Sequence, residues 1–526
     1  MNGKIMTTNI VVSMKPLASK PLLIEDEIIV GKDVLDLLAG AMYVNPLDVY
    51  REYIQNAADA IDQALDGNLK FVEEPSVFIT FDQANRSVTI RDNGISIPTS
   101  DFVRRLTAIG GSKKRGTSLR GLRGVGRLSG LGYCQELIFR GRAEGNEKVS
   151  ELHWDGRALR EKLRDKSFQG SLVDLIRSIV TITTLPALSA LNYPNRFFEV
   201  ELCKVSRLKN DQLLNENTVR NFLSQVAPAP FTNQFTYAEG INNYLARHGV
   251  RAPVSITIND GKGPVVRNIQ NQFSIKQGYF DDVKGVEFVE HFDADGEVAA
   301  IGWICDHSYY GSLPKKHGLG GIRLRAGNIQ IGNETILAEF FPESRFCGWA
   351  IGEFHVISKQ ILPNGRRDNF EPSNHYSHLQ GEFSILAKKI AQRIREKSIQ
   401  RNRLRTVNNH LLNVQEWISV ASGHGLPTIV HSVIKEIADE KLKLAHLEAH
   451  KMQGNPDQYA LAITRIAEIQ SLLENSEIRH CEGQHAGLEN SLSAAVKVIL
   501  SNANKPYEGV MLSVQVLNAI TTPNAA

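Results

Sequence analysis

The sequence has few cysteines, no long apolar run and little net charge, and each absence excludes a class of protein. Five widely spaced cysteines without a CxxC pair indicate neither a zinc site nor a disulfide framework. No stretch approaches the roughly 20 apolar residues of a membrane span, and no secretory apolar segment opens the chain. A net charge of +3 argues against a nucleic-acid or membrane field over the whole protein. We therefore expect a cytoplasmic protein that does not enter the membrane.

The 526 residues exceed what one hydrophobic core supports, and the patterns along the chain divide it into four parts. Residues 1–25 predict a strap or tail. From 26 to 208, a helix, a hairpin, a glycine-rich loop and further strands predict an α+β sandwich with helices on one face of a mixed sheet. Residues 209–377 predict an α/β middle domain, and 378–526 predict a helical region for dimerisation or partner binding.

The polar face of a helix predicted from Leu47 to Leu65 carries the first candidate site. Apolar residues recur there at three- and four-residue steps, without an interior glycine or proline. Glu52, Asn56 and Asp59 follow at i, i+4 and i+7, so all three project from one face. Two carboxylates and an amide in this arrangement suit metal binding and the activation of a water molecule. A solvated face on a surface helix is the alternative interpretation.

A turn after the predicted hairpin offers groups that suit a nucleobase. Asp92 ends the second strand, where its carboxylate can accept a hydrogen bond from an exocyclic amine such as that of adenine. Gly94 follows, and the absence of a side chain there lets a flat base approach the backbone. An ordinary Asp-Asn-Gly turn would also explain this segment.

Residues 110–126 form a basic, glycine-rich segment that suits phosphate groups. Successive backbone N–H groups in such a loop can surround an anion. The order of Gly121, Gly124 and Gly126 is the reverse of the dinucleotide-binding fingerprint, so that fold is not indicated. A flexible basic linker is the alternative interpretation.

In this order and at these spacings, the segments resemble the motifs of the GHKL ATPase superfamily. Arg51–Ala60 is most similar to the first motif in the version found in ninety-kilodalton heat-shock chaperones. Asp92 and Gly94 resemble the second motif, residues 109–113 the start of the lid, and residues 121–129 the third motif. The resemblance implies that the N-terminal domain is a Bergerat-type α/β sandwich that binds ATP.

The same resemblance implies Mg²⁺-dependent ATP hydrolysis and assigns roles to individual residues. Glu52 would be the general base that activates the attacking water, and Asn56 would bind the magnesium ion. Asp92 would accept a hydrogen bond from adenine, and Gly94 would admit the base. The remaining ATP-binding residues would be Asp59, Ser112, Lys113, Gly121, Gly124 and Gly126, with Lys114 and Arg115 as alternatives to Lys113 for the positive charge near the phosphates.

Two further positions bear on the resemblance. Residues 362–368 resemble the chaperone segment that carries a catalytic arginine, which makes Arg367 the group for the γ-phosphate and Arg366 the near alternative. A guanidinium suits this role because it binds phosphoryl oxygens in pairs; a surface arginine paired to Asp368 is the other interpretation.

Ser96 departs from the family pattern, which has glycine there, and puts the nucleotide preference in question.

Two functions fit these motifs. The first is a homodimeric, ATP-driven clamp similar to the ninety-kilodalton chaperones, which acts on a protein client and is held together by its helical end. The second is an ATP-gated nucleic-acid clamp of the MORC or mismatch-repair kind. The basic helix Lys388–Arg405 supports the second function because it could follow a line of phosphates, although charge runs are also common on solvated faces.

Overall fold

The computed structural model describes residues 45–110, 124, 126–186, 190–208, 210–276, 278–315, 318–422, 426–476 and 486–521, with positions 31, 32 and 35. Helices and two mixed sheets alternate in the first two thirds of the chain, and the last third is helical. The predicted α+β class is therefore confirmed. The predicted strap at 1–25 lies outside the described residues.

The first sheet has seven strands in the order β5-β4-β3-β6-β2-β1-β7. Its strands are Ser76–Asp82 (β1), Ser87–Asp92 (β2), Glu136–Arg142 (β3), Ser150–Asp155 (β4), Val180–Thr184 (β5), Phe197–Cys203 (β6) and Ser255–Ile258 (β7). The predicted hairpin is present, since β1 and β2 pair antiparallel with Val77 opposite Asp92. Only β7 runs parallel to its neighbour, β1, so the sheet is mixed.

Helices pack against this sheet, and the first of them is central to it. The helices are Asp48–Asp66 (α1), Thr99–Thr107 (α2), Gly156–Arg164 (α3), Leu172–Ile179 (α4), Glu216–Val226 (α5) and Ala238–Arg247 (α6). The apolar stripe of α1 lies in the core, where Ile54 and Ala58 are fully buried. Side-chain caps begin several of the others, including a capping box at Ser171 for α4.

The first core continues past residue 208, where the sequence predicts a domain boundary. Leu213, Leu223 and Val265 belong to the same buried cluster as Ile54. The physical reason is the pairing of β7 with the edge strand β1, which brings a distant segment back to the first sheet. The division of the chain into four parts stays a prediction.

The second sheet has five strands in the order β10-β11-β14-β12-β13 and follows a short hairpin. The hairpin consists of Gln272–Lys276 (β8) and Tyr279–Asp282 (β9), and the sheet of Gly285–Phe292 (β10), Val298–Asp306 (β11), Gly321–Ala326 (β12), Ile329–Ile331 (β13) and Ile351–Val356 (β14). Strands β12 and β14 are parallel neighbours, so their side chains at matching positions share a face.

The last part of the described chain is helical: Asn374–Ser422 (α7), Thr428–His450 (α8), Pro456–Glu474 (α9), Ala486–Asn502 (α10) and Pro506–Thr521 (α11). The 49-residue helix α7 serves two cores. Its first half, with Phe383 and Ile390, packs on the second sheet, and its second half, with Val414, packs among the later helices. Among the described helices, none combines the length and apolar character that crossing a bilayer requires.

Candidate functional site

The polar face of α1 is turned into the protein. Thirteen of the 19 residues of this helix are buried. Glu52 is 7% exposed and Asp59 1% exposed, while Asn56 on the same face is half-buried. The predicted clustering of these three residues on one face is therefore present in the structure, and the alternative of a solvated surface helix does not describe it.

A 3₁₀ helix, Gly126–Gly132, lies against α1 beside Glu52. A Cβ atom at Gly126 would lie 2.1 Å from Glu52 Oε2, so a larger residue there would have to displace the Glu52 carboxylate. The Tyr53 hydroxyl fixes the same contact, because it donates to the carbonyl of Arg127 (3.1 Å) and accepts from the Gly130 N–H (3.0 Å). The C-terminal end of the predicted phosphate loop is thus held against Glu52.

Gly124 precedes this contact and adopts a φ of +69°, a left-handed conformation that favours glycine. Its carbonyl accepts a hydrogen bond from Arg127 Nη2 at 2.9 Å. Three other predicted ATP-binding residues, Ser112, Lys113 and Gly121, lie outside the described residues.

Asp92 is buried at the end of β2, with 5% of its surface exposed. Burial raises the pKa of its carboxyl to about 7, although the Gly94 N–H, which donates to Asp92 Oδ1 at 2.9 Å, opposes the shift. An ionised carboxylate in this position is a strong acceptor with little competition from water. This is the chemistry that recognition of an exocyclic amine requires.

Gly94 brings the turn after β2 into contact with α1. A Cβ atom there would lie 2.5 Å from the carbonyl carbon of Ala60, and the next residue, Ile95, donates its N–H to the Ala60 carbonyl at 3.0 Å. The glycine is thus explained by packing of the turn on the helix backbone. The approach of a base at Gly94 stays a prediction.

Ser96 also has a structural explanation. Its φ is +62°, where glycine is the usual residue, and it is buried. The hydroxyl donates to the carbonyl of Phe197 at 2.7 Å. The serine that departs from the family pattern therefore directs its polar group to β6.

The segment that carries Arg367 is a tight loop after the second sheet. Pro363 and Phe370 form a β-bridge, and Arg367 sits between them with a φ of +57°. Its carbonyl accepts from the Gly332 N–H at 2.8 Å, which anchors the loop at the end of β13. A left-handed backbone at a non-glycine residue costs free energy and is retained where surrounding contacts impose it.

Arg367 is buried and reaches the polar face of α1. It is 7% exposed, and its Nε lies 3.4 Å from Glu52 Oε1. Arg366 is exposed, and Asp368 accepts a hydrogen bond from Asn364 Nδ2 at 2.5 Å. The geometry thus favours Arg367 over Arg366 as the arginine of the site, and the burial of Arg367 does not fit an arginine at the surface.

Arg51 and Asp48 form a second link between α1 and this loop, which sequence reasoning missed. Arg51 Nη2 donates to the carbonyl of Arg366 at 3.0 Å, and its Nη1 lies 3.3 Å from Asp48 Oδ1. Burial raises the pKa of Asp48 to about 6, with Arg51 opposing the shift. In the sequence, Arg51 follows Asp48 by three residues, and this spacing predicts an ion pair within the helix. It does not predict the contact of Arg51 with the distant loop.

Together these side chains form a charged, water-poor wall suited to phosphoryl transfer. Glu52 can hold and deprotonate a water, and Arg367 can neutralise charge that develops on a phosphoryl group. Mg²⁺ is commonly bound through one or two protein oxygens together with phosphates and waters. The half-buried amide of Asn56, one turn after Glu52, fits that limited donor set.

Comparison with known proteins agrees with this geometry. Residues 47–174 match the family described as histidine kinase-, DNA gyrase B- and HSP90-like ATPase. The chain is 29% identical over 163 residues to the chaperone protein HtpG of Helicobacter acinonychis, which covers 27% of this chain and 26% of that protein. It is 32% identical over 123 residues to HtpG of Helicobacter pylori strain J99, with 20% of each chain covered. HtpG of Helicobacter hepaticus is 30% identical over 134 residues, or 22% of each chain.

The chain thus matches about a quarter of the length of these relatives or less. The matched family residues include α1, the β1–β2 hairpin and the 3₁₀ helix at Gly126, whereas Arg367 lies beyond them. Over residues 47–174, this chain is therefore similar to the histidine kinase-, DNA gyrase B- and HSP90-like ATPase family, which is part of the GHKL superfamily.

Proposed function

We propose that this protein is an ATP-hydrolysing homodimeric clamp of the heat-shock-chaperone-like class that acts on a protein client. The observation that carries the proposal is the buried contact between Glu52 and Arg367, in which a carboxylate and a guanidinium lie 3.4 Å apart. The ATPase family that residues 47–174 match supports ATP as the substrate. The HtpG chaperones among the relatives of this chain support a clamp that binds a protein client.

Glu52 and Arg367 would exchange partners during the reaction. An arriving γ-phosphate competes for Arg367, because guanidinium groups bind phosphate oxygens bidentately. Glu52, released from the ion pair, then orients the attacking water and takes its proton. Asn56 would hold Mg²⁺, which neutralises phosphate charge when bound. Asp92 would accept from the adenine amine, and the N–H groups near Gly124 and Gly126 would face the phosphates.

The helical end supports a role in assembly. Several large apolar side chains of α7 to α11 are more than one third exposed: Leu412, Leu444, Leu447, Leu461, Leu472, Val498 and Leu512. Among them, Leu444 and Leu447 lie three residues apart on α8 and share one face of that helix, and contiguous exposed apolar surface is typical of sites that contact another chain. We infer that these helices join two copies or hold a partner, and we expect the protein in the cytoplasm.

The nucleic-acid alternative receives less support from the basic helix. Arg393 pairs with Glu287 at 2.8 Å, Arg395 with Glu343 at 2.6 Å, and Lys397 with Asp306 at 2.5 Å. Arg401 donates to the backbone carbonyls of Ser308 and Tyr309, and Arg403 to that of Lys451. Five of the eight basic residues of the predicted nucleic-acid helix thus hold α7 to neighbouring parts of the chain, so we favour a protein client.

Glu52→Ala should lower ATP turnover by about 10²–10⁴-fold while ATP still binds, because the general base is removed and the binding groups stay. Phosphate release at saturating ATP measures turnover, and calorimetry measures binding. Glu52→Gln keeps the packing on Gly126 and should be equally slow. Asp66→Ala, an exposed carboxylate on the same helix, is the matched control. Full activity in the Glu52 variants would remove this residue from the base role.

Adenosine affinity should fall as the pH drops through about 7, because burial raises the pKa of Asp92 to that value and the ionised carboxylate is the better acceptor. Well below pH 7 the loss approaches about tenfold per pH unit. Adenosine isolates this effect, because it has no phosphate to titrate. Asp92→Asn should abolish binding at every pH. If the adenosine affinity does not change between pH 5.5 and 8.5, or if Asp92→Asn binds adenosine normally, the adenine ring does not bind at Asp92.

Arg367→Ala should lower turnover by about 10²–10³-fold with little change in ATP affinity, because its guanidinium acts mainly on charge that develops during the reaction. Arg366→Ala is the matched control in the same loop, since its side chain is exposed and only its carbonyl contacts Arg51. Turnover and affinity are measured as for Glu52. The reverse order of effects would assign the catalytic role to Arg366.

A further inference from the structure

Arg127 is a charged residue at the glycine loop that the proposed reaction does not use. It is the second residue of the 3₁₀ helix Gly126–Gly132, directly after the glycine that packs on Glu52. Its backbone is fixed, because the Tyr53 hydroxyl donates to its carbonyl at 3.1 Å. The side chain of Arg127 therefore starts from a defined position beside the segment whose N–H groups suit phosphates.

The side chain of Arg127 turns back along that segment. Its Nη2 donates to the carbonyl of Gly124 at 2.9 Å, and the residue is half-buried. A carbonyl is a neutral acceptor, so this hydrogen bond does not neutralise the guanidinium. A phosphate oxygen is a stronger acceptor for the same group, because charge on both partners shortens and strengthens a hydrogen bond.

The charged group that acts on Arg127 is another arginine. Arg105, an exposed residue in the last turn of α2, lies close enough to repel it. Burial and then this repulsion lower the pKa of Arg127 below its usual range. Two guanidinium groups from different elements thus approach each other at the glycine loop, an arrangement that a nearby anion stabilises.

The sequence around Arg127 offers no carboxylate that could compensate this charge. Residues 102–135 contain eight lysines and arginines and no aspartate or glutamate. Within the described part of the chain, no carboxylate contributes to the pKa shift of Arg127, whereas Arg104 pairs with Asp101 at 2.9 Å. A half-buried cation is costly unless an opposite charge compensates it.

Closure of the loop alone would not explain this charge. The hydrogen bond to the Gly124 carbonyl needs one donor, which an uncharged amide side chain could also supply. Repulsion by Arg105 opposes such a closure. A phosphate group would use both features, because it accepts from the Arg127 guanidinium and is attracted by the second arginine.

We propose that Arg127 binds a phosphate group of the nucleotide and thereby distinguishes ATP and ADP from adenosine. The inference rests on the proposed function of the site. The phosphate takes the Arg127 guanidinium from the Gly124 carbonyl, and Arg105 adds attraction at longer range. Because Arg367 is the group proposed for the γ-phosphate, Arg127 serves the phosphates that ADP retains.

ADP and adenosine are the two probes, and calorimetry on the full chain gives their Kd values. Arg127→Met removes the charge and keeps an unbranched side chain for packing. It should raise the Kd for ADP by about 10–100-fold, the usual effect of one hydrogen bond between charged groups, and leave the Kd for adenosine unchanged. Arg127→Lys keeps the charge without the planar fork and should recover part of the ADP affinity. Arg104→Met removes an arginine of α2 that pairs with Asp101 and is the matched control, with both affinities unchanged.

The two ligands separate this inference from the proposed function. If the wild type binds both ligands and Arg127→Met weakens both equally, the side chain only holds the loop, and the inference is overturned. The same conclusion follows if Arg127→Met weakens neither ligand. A wild type that binds neither adenosine nor ADP would contradict the proposed function and the inference with it.

Discussion

The buried contact between Glu52 and Arg367 joins a helix of the first core to a loop that follows the second sheet, and it depends on how tightly α1 is enclosed. The turn at Gly94, the 3₁₀ helix at Gly126 and the loop at Arg367 all press on this helix. A carboxylate enclosed in this way needs a partner, because burying an unpaired charge costs several kcal/mol. The ion pair satisfies Glu52, and a phosphate group can take Arg367 from it.

Contacts between the first core and the second sheet couple the two halves of the described α/β region. Strand β7 and helix α5 belong to the first core, yet they follow the predicted boundary at 208. Arg325 of the second sheet donates to carbonyls at the end of α5, and Arg51 of α1 donates to the Arg366 carbonyl. Motion of one core relative to the other must therefore break part-buried hydrogen bonds from charged groups, and such bonds typically contribute about 1.5–3 kcal/mol each.

Local patterns were sufficient for much of the fold and for part of the site. Local patterns predicted the β1–β2 hairpin and the helix α1, and helical spacing placed Glu52, Asn56 and Asp59 on one face of that helix. Long-range contacts were not accessible in this way. No local signal shows that β7 pairs with β1, that Gly94 is needed for packing on Ala60, or that Arg51 reaches the Arg366 carbonyl. The choice between Arg366 and Arg367 likewise needed their burial, which depends on the tertiary structure.

The central claim is that Glu52 and Arg367 act as one unit in ATP hydrolysis, and a double-mutant cycle on turnover tests it most directly. Single-turnover phosphate release is measured for the wild type, Glu52→Ala, Arg367→Ala and the variant that carries both changes. Residues that act together show strongly non-additive losses, so the double variant should be about as slow as the slower single variant. A double variant slowed by the product of the two single effects would contradict the account.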